Sequence, residues 1–147
     1  MSSLHFTINQ AGADEISRHL EQCSPLFTPP LNEKVDIGVY AGKIRAYAIT
    51  FEAWDQSVLA GLIAAYFNNK ETGKAYITNV STLPGYNGRG IGSTLMTNCI
   101  HYGKEQTYKE IELRVAKQNR RAINLYTKFG FSEVLQENDE SVMQRIL

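Results

Sequence analysis

The sequence predicts an α+β fold, in which about four helices flank a mixed, mostly antiparallel sheet of about seven strands. The first reason is the order of the predicted elements: strand, two helices, three strands, helix, strand, helix and two strands. Hairpin-length connections between neighbouring strands imply antiparallel pairing, whereas the later strand–helix–strand–helix segment implies a parallel pair. The second reason is composition, since a 147-residue chain with 43% hydrophobic and 20% charged residues is able to bury a core. We expect one domain over residues 1–147.

The spacing of apolar residues predicts each element of the first half, because such residues alternate in strands and recur every three or four positions in helices. Three prolines make residues 23–31 an irregular but apolar loop, which either packs over the core or forms one wall of a substrate cleft. Asp55-Gln56 marks a hairpin. The predicted elements are a strand at 4–9 (Leu4, Phe6 and Ile8 on one face), helices at about 12–22 and 34–47 (Val35, Val39 and Ile44 on the inner side of the second), and strands at 46–54 and 57–67.

The second half follows the same rules, and two residue types mark the ends of its last helix. Asn119 is a typical N-cap, and Gly130 is a typical C-terminal stop for the helix of about ten residues between them. The predicted elements are a strand at 74–83, a helix from about 90 to 104, a strand at 109–116, the helix after Asn119, and strands at 131–135 and 141–147.

Charge and cysteine content exclude several classes of protein. Lys plus Arg and Asp plus Glu both number 15, and this balance argues against duplex nucleic acid as a partner, because such binding depends on an excess of positive charge. Cys23 and Cys99 form no C-x-x-C motif, so we predict two buried or half-buried thiols in a reducing compartment. The N-terminus lacks signal-peptide features, and the longest apolar run, 58–67, is too short to span a bilayer. These features predict a cytoplasmic protein with no membrane partner.

The stretch YNGRGIGSTLM (residues 86–96) places three glycines within five positions, directly before a predicted helix. A glycine turn at a helix N-terminus lets the backbone approach a phosphate and aims free N–H groups at it. A P-loop is excluded because no Lys-Ser or Lys-Thr pair follows. A dinucleotide-binding turn fits poorly, because the glycines alternate instead of following G-x-G-x-x-G. In addition, the acidic residue that hydrogen-bonds the ribose in such proteins lies near the end of the next strand, whereas Glu110 and Glu112 lie at its start and middle.

A second motif, NRRAINLYTKFGF, completes a pattern that resembles the GCN5-related N-acetyltransferase (GNAT) superfamily. Residues Asn87 to Gly92 fit the Q/R-x-x-G-x-G/A form of the acetyl-CoA loop in that family, with Asn87 standing where Gln or Arg is usual. The resemblance is strong over residues 74–131 and extends to the rest of the chain in the order of elements. The second motif matches the family pattern N-x-x-A-x-x-L/F-Y-x-x-x-G-F through Asn119, Ala122, Leu125, Tyr126, Gly130 and Phe131.

The resemblance implies that acetyl-CoA is the co-substrate and that no metal is required. A pyrophosphate that is bound without a metal needs backbone N–H donors and a helix N-terminus, which the glycine turn supplies. In the family, the preceding strand diverges from its neighbour and offers backbone groups to the pantetheine arm. Carried across residue by residue, the cofactor-binding set is Val80, Ser81, Thr82, Asn87, Gly88, Arg89, Gly90, Ile91, Gly92, Ser93, Asn119 and Tyr126.

The implied reaction is direct attack of a primary amine on the thioester of acetyl-CoA in a ternary complex. Making an alkyl amine neutral at pH 7 costs roughly 4–5 kcal/mol, because its pKa is about 10.4, so the reaction needs a proton acceptor. The family pattern assigns Tyr126 as the general acid for the departing thiolate. Glu112, two residues before Arg114 on the same strand face, is the candidate base, and a solvated edge carboxylate is the alternative interpretation.

The acceptor is less clearly marked than the cofactor. Phe27, Trp54 and Asn79 are candidate substrate-binding residues, and a small-molecule amine such as an amino sugar is the predicted substrate class. The alternative is a GNAT-like module that binds an acyl-CoA as a sensor or scaffold without turning it over, which Asn87 and the lack of an obvious base favour. A homodimer is compatible with the resemblance. Three histidines lie outside both motifs and are predicted to be surface or packing residues: His5, His19 and His101.

Overall fold

The computed structural model describes residues 3–147, so the first two residues of the predicted domain lie outside it. The described chain forms seven strands, five α-helices and one 3₁₀ helix, in the predicted order apart from two short helices. The 3₁₀ helix (Ser24–Leu26) lies within the loop that was expected to be irregular, with Pro25 in its first turn, and the four-residue α2 begins where that loop ends. The strands are β1 (Leu4–Ile8), β2 (Ile49–Asp55), β3 (Val58–Tyr66), β4 (Lys74–Thr82), β5 (Glu110–Ala116), β6 (Ser132–Glu137) and β7 (Glu140–Ile146). The helices are α1 (Ala13–Cys23), α2 (Leu31–Lys34), α3 (Ile37–Tyr47), α4 (Ile91–Glu105) and α5 (Arg120–Lys128).

All seven strands join one sheet in the order β1-β2-β3-β4-β5-β7-β6. Within the described chain, each neighbouring pair is antiparallel except β4 and β5. Helix α4 connects this parallel pair, because parallel neighbours cannot be joined by a tight turn. The predicted α+β fold with a mixed, mostly antiparallel sheet is therefore confirmed.

Apolar residues on the two faces of the sheet form two separate cores. Helices α1 to α3 cover one side, which we call the front face, and α4 and α5 cover the other, the rear face. The front core includes Ile16, Leu20, Ala41, Ile44, Trp54 and Leu62. The rear core includes Phe51, Ile63, Leu95, Met96, Cys99 and Ile111. The two predicted buried thiols are confirmed, since Cys23 and Cys99 are both buried and free.

Strand β1 leaves much of its apolar face uncovered. Phe6 and Ile8 pair with Ala53 and Phe51, which belong to the rear core, so their side chains lie on the rear face. They nevertheless remain 38% and 41% exposed. The reason is position, because β1 is an edge strand and α4 packs over β2 to β5 instead.

Helix α3 begins at Ile37, three residues later than predicted, and its inner side differs from the prediction. Asp36 is the N-cap, and its carboxylate accepts a hydrogen bond from the Val39 backbone N–H at 3.0 Å. Val39 was expected to face inward, yet it is 72% exposed, because two helical positions from the buried Ile37 correspond to a rotation of about 200°. Val35 precedes the helix, whereas Ile44 is buried as expected.

The carboxylate of Glu52 is buried within the front layer and is surrounded by hydrogen-bond donors. Its oxygens accept from the hydroxyls of Thr7 at 2.6 Å and Thr50 at 2.7 Å. They also accept from the backbone N–H groups of Gln10 at 3.0 Å and Ala11 at 2.8 Å. Bonds to a charged acceptor are stronger than those between neutral groups. Glu52 therefore links β2 to the segment between β1 and α1 through these hydrogen bonds. This link positions α1 on the front face.

Candidate active site

Strands β4 and β5 pair for only part of their length. The parallel pairing ends at Ile77 and Leu113, and beyond them the two strands separate. A bulge accompanies the separation, because the register of β4 against β3 shifts at Thr78. The hydroxyl of Tyr40 in α3 donates to the carbonyl oxygen of Thr78 at 2.8 Å and so holds the bulge in place. Residues 78–82 consequently present a backbone edge toward β5 that no strand of the described chain covers.

The turn between β4 and α4 owes its shape to glycines with positive φ. Gly85, Gly88 and Gly90 have φ angles of 91°, 81° and 72°, a region that residues with a side chain rarely adopt. Gly90 is the N-cap of α4, and Thr94 donates the first helical hydrogen bond to its carbonyl at 3.0 Å. The N–H groups of residues 91–93 therefore have no partner within the helix. Together with the helix dipole they are suited to bind an anion.

Tyr86 connects this glycine turn to the β2–β3 hairpin. Its hydroxyl donates to a carboxylate oxygen of Asp55, at the end of β2, at 2.6 Å. This hydrogen bond raises the pKa of Tyr86 above its usual value, because ionisation would place two negative charges side by side. The guanidinium carbon of Arg89 lies 5.1 Å from the centre of the Tyr86 ring, within the range of a cation–π contact. Tyr86 thus ties the turn to the sheet and positions a cation beside it.

Two cavities meet at the gap between β4 and β5. The rear cavity, of about 550 Å³, lies between the end of β4, the glycine turn, the start of α4 and α5. The front cavity, of about 330 Å³, lies between the α1–α3 side, β4, β5 and the start of β7. Both volumes fall in the range of small-molecule sites. Four residues line both cavities: Phe27, Val80, Asn119 and Tyr126.

Tyr126 lies at the boundary of the two cavities and is almost completely buried. It is 6% exposed, and its ring centre lies 6.0 Å from that of Phe131. The start of its helix is held by Asn119, whose side-chain oxygen accepts from the backbone N–H of Ala122 at 3.1 Å. Burial raises the pKa of Tyr126 to about 12, so the phenol is protonated at neutral pH. Its hydroxyl has no hydrogen-bond partner among residues 3–147, and it is therefore available to a ligand as a donor.

Phenols and charged groups form much of the polar part of the front cavity. Burial raises the pKa of Tyr40 to about 12. Burial also raises the pKa of Tyr76, an effect that the nearby Arg114 guanidinium partly offsets. Both phenols are therefore protonated at neutral pH. Lys34 and Arg114 contribute positive charge, and Glu140 is the only carboxylate among the described residues that line this cavity.

A buried polar chain joins α1 to β4 between the two cavities. The Nδ1 of His19 lies 2.7 Å from the carbonyl oxygen of Leu59, which can only accept, so Nδ1 carries the proton. Nε2 then accepts from the hydroxyl of Ser81 at 2.8 Å, and Ser81 accepts from the amide of Asn79 at 2.9 Å. Burial lowers the pKa of His19 to about 4 and raises that of the adjoining Cys23 thiol to about 11. At neutral pH these hydrogen-bonded side chains are uncharged, and they hold α1 against the sheet.

The structure brings nearly all of the predicted cofactor-binding residues to the rear cavity. Arg89 differs, because its guanidinium lies over Tyr86 and does not line the cavity. The predicted residues that do line it are Val80, Ser81, Thr82, Asn87, Gly88, Gly90, Ile91, Gly92, Ser93, Asn119 and Tyr126. Cys23 and Leu26 also line it, and they belong to the 23–31 loop that was expected either to pack over the core or to form a cleft wall. Lining residues that the sequence did not suggest include Arg121, Asn124 and Lys128.

The predicted acceptor and base residues are distributed differently. Phe27 lines both cavities and Asn79 lines the front one. Trp54 requires correction, because it lies in the front core on β2, two strands from the gap, and donates its indole N–H to Thr7 at 2.7 Å. Glu112 lies on the paired part of β5 opposite Tyr76, and it lines neither of these cavities within the described chain.

Comparison with known proteins identifies the family. The chain matches the Acetyltransferase (GNAT) family over residues 14–131, and it belongs to that family. N-alpha-acetyltransferase MAK3 of Arabidopsis thaliana is 28% identical over 115 residues, which make up 77% of this chain and 60% of that protein. The matches span between 21% and 60% of the length of the curated relatives.

Two solved structures share the fold over nearly the whole chain. Arabidopsis thaliana Naa50 in complex with the bisubstrate analogue CoA-Ac-MVNAL is 25% identical, with a TM-score of 0.73 over 95% of this chain and 97% of that one. The ribosomal-protein-S18-alanine N-acetyltransferase from Escherichia coli is 19% identical, with a TM-score of 0.77 over 97% of this chain and 94% of that one. Within residues 3–147, no helix is long and apolar enough to cross a membrane, and no group of His, Cys, Asp and Glu side chains is arranged to hold a metal ion.

Proposed function

We propose that this chain is an acetyl-CoA-dependent N-acetyltransferase, in which a primary amine attacks the thioester directly in a ternary complex. The observation that carries the proposal is the meeting of the rear and front cavities at the gap between β4 and β5, with Tyr126 at their boundary. Two substrates that enter from opposite faces of the sheet can react there without a covalent enzyme intermediate. Membership of the GNAT family and the names of the relatives support the same reaction.

Acetyl-CoA occupies the rear cavity in this proposal. Its pyrophosphate accepts hydrogen bonds from the N–H groups of residues 91–93, and Arg89 adds positive charge at the rim. The pantetheine arm runs along the uncovered backbone edge at Val80, Ser81 and Thr82 toward the gap. Peptide-like amides of that arm can pair with the backbone as a neighbouring strand would, so the separation of β4 from β5 serves as the binding surface.

The departing thiolate receives a hydrogen bond from Tyr126. With a pKa of about 12, the phenol keeps its proton at neutral pH and is a weaker acid than a thiol, whose pKa is about 8.5. Complete proton transfer from the phenol is therefore unfavourable, whereas a hydrogen bond to the developing negative charge is favourable in this buried position. Tyr126 acts as a donor that stabilises the leaving group.

A carboxylate on the front face accepts the proton of the attacking amine. Glu140 is the first candidate, because it lines the front cavity beside Tyr76 and a bound amine can approach it. Glu112 is the second candidate, since it lies next to Tyr76 across the β4–β5 pair and can act through a bound water. The two phenols, Tyr40 and Tyr76, are protonated and so are suited to orienting the amine, not to deprotonating it.

The first candidate acceptor is a small-molecule primary amine such as an amino sugar. The front cavity, of about 330 Å³, suits a molecule of that size, and the hydroxyls of Tyr40 and Tyr76 can pair with polar substituents. The second candidate is the α-amine of a protein N-terminus, which is favoured by relatives named as an N-alpha-acetyltransferase and a ribosomal-protein-S18-alanine N-acetyltransferase.

The test measures thiol release from acetyl-CoA with a panel of amino sugars, simple alkyl amines and short peptides with free α-amines, and identifies each N-acetylated product by mass. Initial rates with both substrates varied are expected to give intersecting lines. Parallel lines are the mark of a covalent intermediate and would contradict direct attack. If no amine accelerates thiol release although acetyl-CoA binds, the inactive acyl-CoA-binding module is the correct description.

A further inference from the structure

One wall of the front cavity carries a single charged side chain. This wall is formed by residues 27–35, which comprise the end of the proline-rich loop and α2. Its uncharged lining residues are Phe27, Thr28, Leu31 and Val35. The remaining lining residue of this segment is Lys34. Lys34 is therefore the one charge that the segment presents to a molecule bound in the front cavity.

The opposite wall, formed by the sheet, carries both signs of charge. Arg114 on β5 and Glu140 on β7 line it. The charges of both groups act on the Tyr76 phenol, whose pKa the guanidinium lowers and the carboxylate raises, so both lie near that phenol. The guanidinium of Arg114 is also paired with a carboxylate oxygen of Glu137 at 2.8 Å. The sheet wall therefore offers a bound anion little positive charge that is not already paired.

The ammonium group of Lys34 has no such partner. It forms no salt bridge or hydrogen bond with any group of residues 3–147, and Lys34 is exposed. Lys34 ends the four-residue α2, so a solvated cation beside a helix C-terminus is the simpler explanation for its presence. A lysine with that role alone has no need to line the cavity. Its position there makes the unpaired charge available to a ligand.

A small acceptor that reacts at the gap also reaches the wall that holds Lys34. Its amine must lie where Tyr126 borders the front cavity, with Glu140 on the adjoining sheet wall. The front cavity has a volume of about 330 Å³, which is at the low end of the range for small-molecule sites. The rest of such a molecule therefore extends from the gap toward residues 27–35. An anionic group at that end pairs with the ammonium of Lys34.

We propose that the acceptor is a primary amine that also carries an anionic group, and that Lys34 binds this group. The inference rests on the proposed function. The anionic group is a carboxylate or a phosphate, since a lysine ammonium pairs with either as a point charge. Lys34 is then a specificity-determining residue, which selects the acceptor and takes no part in the transfer of the acetyl group.

The test measures thiol release from acetyl-CoA with three matched series of acceptors. The first series holds the ω-amino acids γ-aminobutyrate, δ-aminovalerate and ε-aminocaproate. The second holds aminoalkyl phosphates of the same chain lengths, and the third holds the neutral primary amides of the first. Wild-type protein should show a kcat/KM about tenfold higher for at least one anionic series than for the amides, because hydrogen bonds to charged groups are the stronger ones. This preference should fall as added salt screens the charge.

Lys34→Gln tests the residue. Its KM for the preferred anionic acceptor should rise about tenfold while kcat changes little, because the lost contact is the same in the ground state and the transition state. Its kcat/KM for the neutral amides should stay within about twofold of the wild-type value. Lys43→Gln is the matched control, since Lys43 lies over the Tyr66 ring on the same face of the sheet and lines neither the front nor the rear cavity. This control should keep the wild-type preference.

Three results would overturn this inference and leave the proposed function intact. Equal kcat/KM for anionic and neutral acceptors in the wild type refutes an anionic acceptor, and acetylation of peptide α-amines alone does the same. A preference that persists in Lys34→Gln refutes the assignment of the anion to Lys34. If acetyl-CoA binds but no amine of any class is acetylated, the proposed function fails, and this inference fails with it.

Discussion

Replacing Tyr126 with Phe removes one hydroxyl from the boundary of the two cavities. The ring keeps its contact with Phe131, whose centre lies 6.0 Å away. The hydroxyl has no hydrogen-bond partner among residues 3–147, so its removal leaves no protein group unpaired. We therefore expect the free energy of unfolding of Tyr126→Phe to lie within about 0.5 kcal/mol of the wild-type value. Any loss of activity is then a property of the reaction and not of the fold.

The size of that loss follows from the acidity of the phenol. A positioned proton donor contributes typically 10²- to 10⁴-fold to a rate. Because burial raises the pKa of Tyr126 to about 12, it donates a hydrogen bond without transferring the proton completely, which favours the low end of this range. We expect kcat to fall about 10²-fold, or about 2.7 kcal/mol in activation free energy. The Kd for acetyl-CoA should change by less than about threefold, since the interaction is made in the transition state.

The assay is thiol release under saturating acetyl-CoA, with Tyr47→Phe as the matched control. Tyr47 is 64% exposed on α3 and lines none of the cavities, so its variant should keep the wild-type kcat. In the wild type, Tyr126 should cause no alkaline loss of activity below about pH 11, because its pKa of about 12 keeps the phenol protonated there. Tyr126 is not a donor to the leaving group if Tyr126→Phe keeps more than half of the wild-type kcat, or if the affinity of this variant for acetyl-CoA falls as much as its kcat.

Three further predictions test other parts of the account. Glu140→Gln should lower kcat/KM about 10²-fold, whereas Glu112→Gln should cost less than about threefold. The reverse result assigns the base to Glu112. Tyr86→Phe and Asp55→Ala should each raise the Kd for acetyl-CoA about three- to tenfold, and the double variant should raise it no further, because both remove the same hydrogen bond. Additive losses in calorimetry would contradict this. Glu52→Gln should lower the free energy of unfolding, measured in urea, by about 3 kcal/mol. The reason is that the amide nitrogen of Gln would face a backbone N–H donor and could not accept from it. A change under about 1 kcal/mol would mean that the stability of the fold does not depend on the carboxylate.

Local patterns predicted most of the elements, since strand alternation, the Asp55-Gln56 hairpin and the cap at Asn119 all depend on residues close in sequence. The prediction placed the start of α3 three residues too early, because the start is set by a single capping residue, Asp36. The inner side of that helix was assigned from apolar character, but the actual face depends on where the first turn begins, and Val39 consequently faces solvent.

The rear cavity was predictable because most of its lining comes from two short segments, 80–93 and 119–128, each with its own motif. The front cavity was not, because Tyr40, Tyr76 and Glu140 come from α3, β4 and β7, and only the order of strands brings them together. The buried hydrogen bond between His19 and Ser81 was not predictable for the same reason, since these residues are 62 positions apart in sequence. The prediction for Trp54 failed because an aromatic residue at a strand end looks the same in a core and in a cleft.

The most direct test of the central claim is thermal unfolding with acetyl-CoA, CoA and NAD at matched concentrations. A ligand at about 100 times its Kd stabilises the folded state by roughly 2.7 kcal/mol, which is easily seen for a domain of this size. The rear cavity is predicted to bind both CoA compounds, so each should raise the melting temperature while NAD leaves it unchanged. Stabilisation by NAD alone, or by none of the three, would contradict the claim that the glycine turn and the separated strands form an acetyl-CoA site.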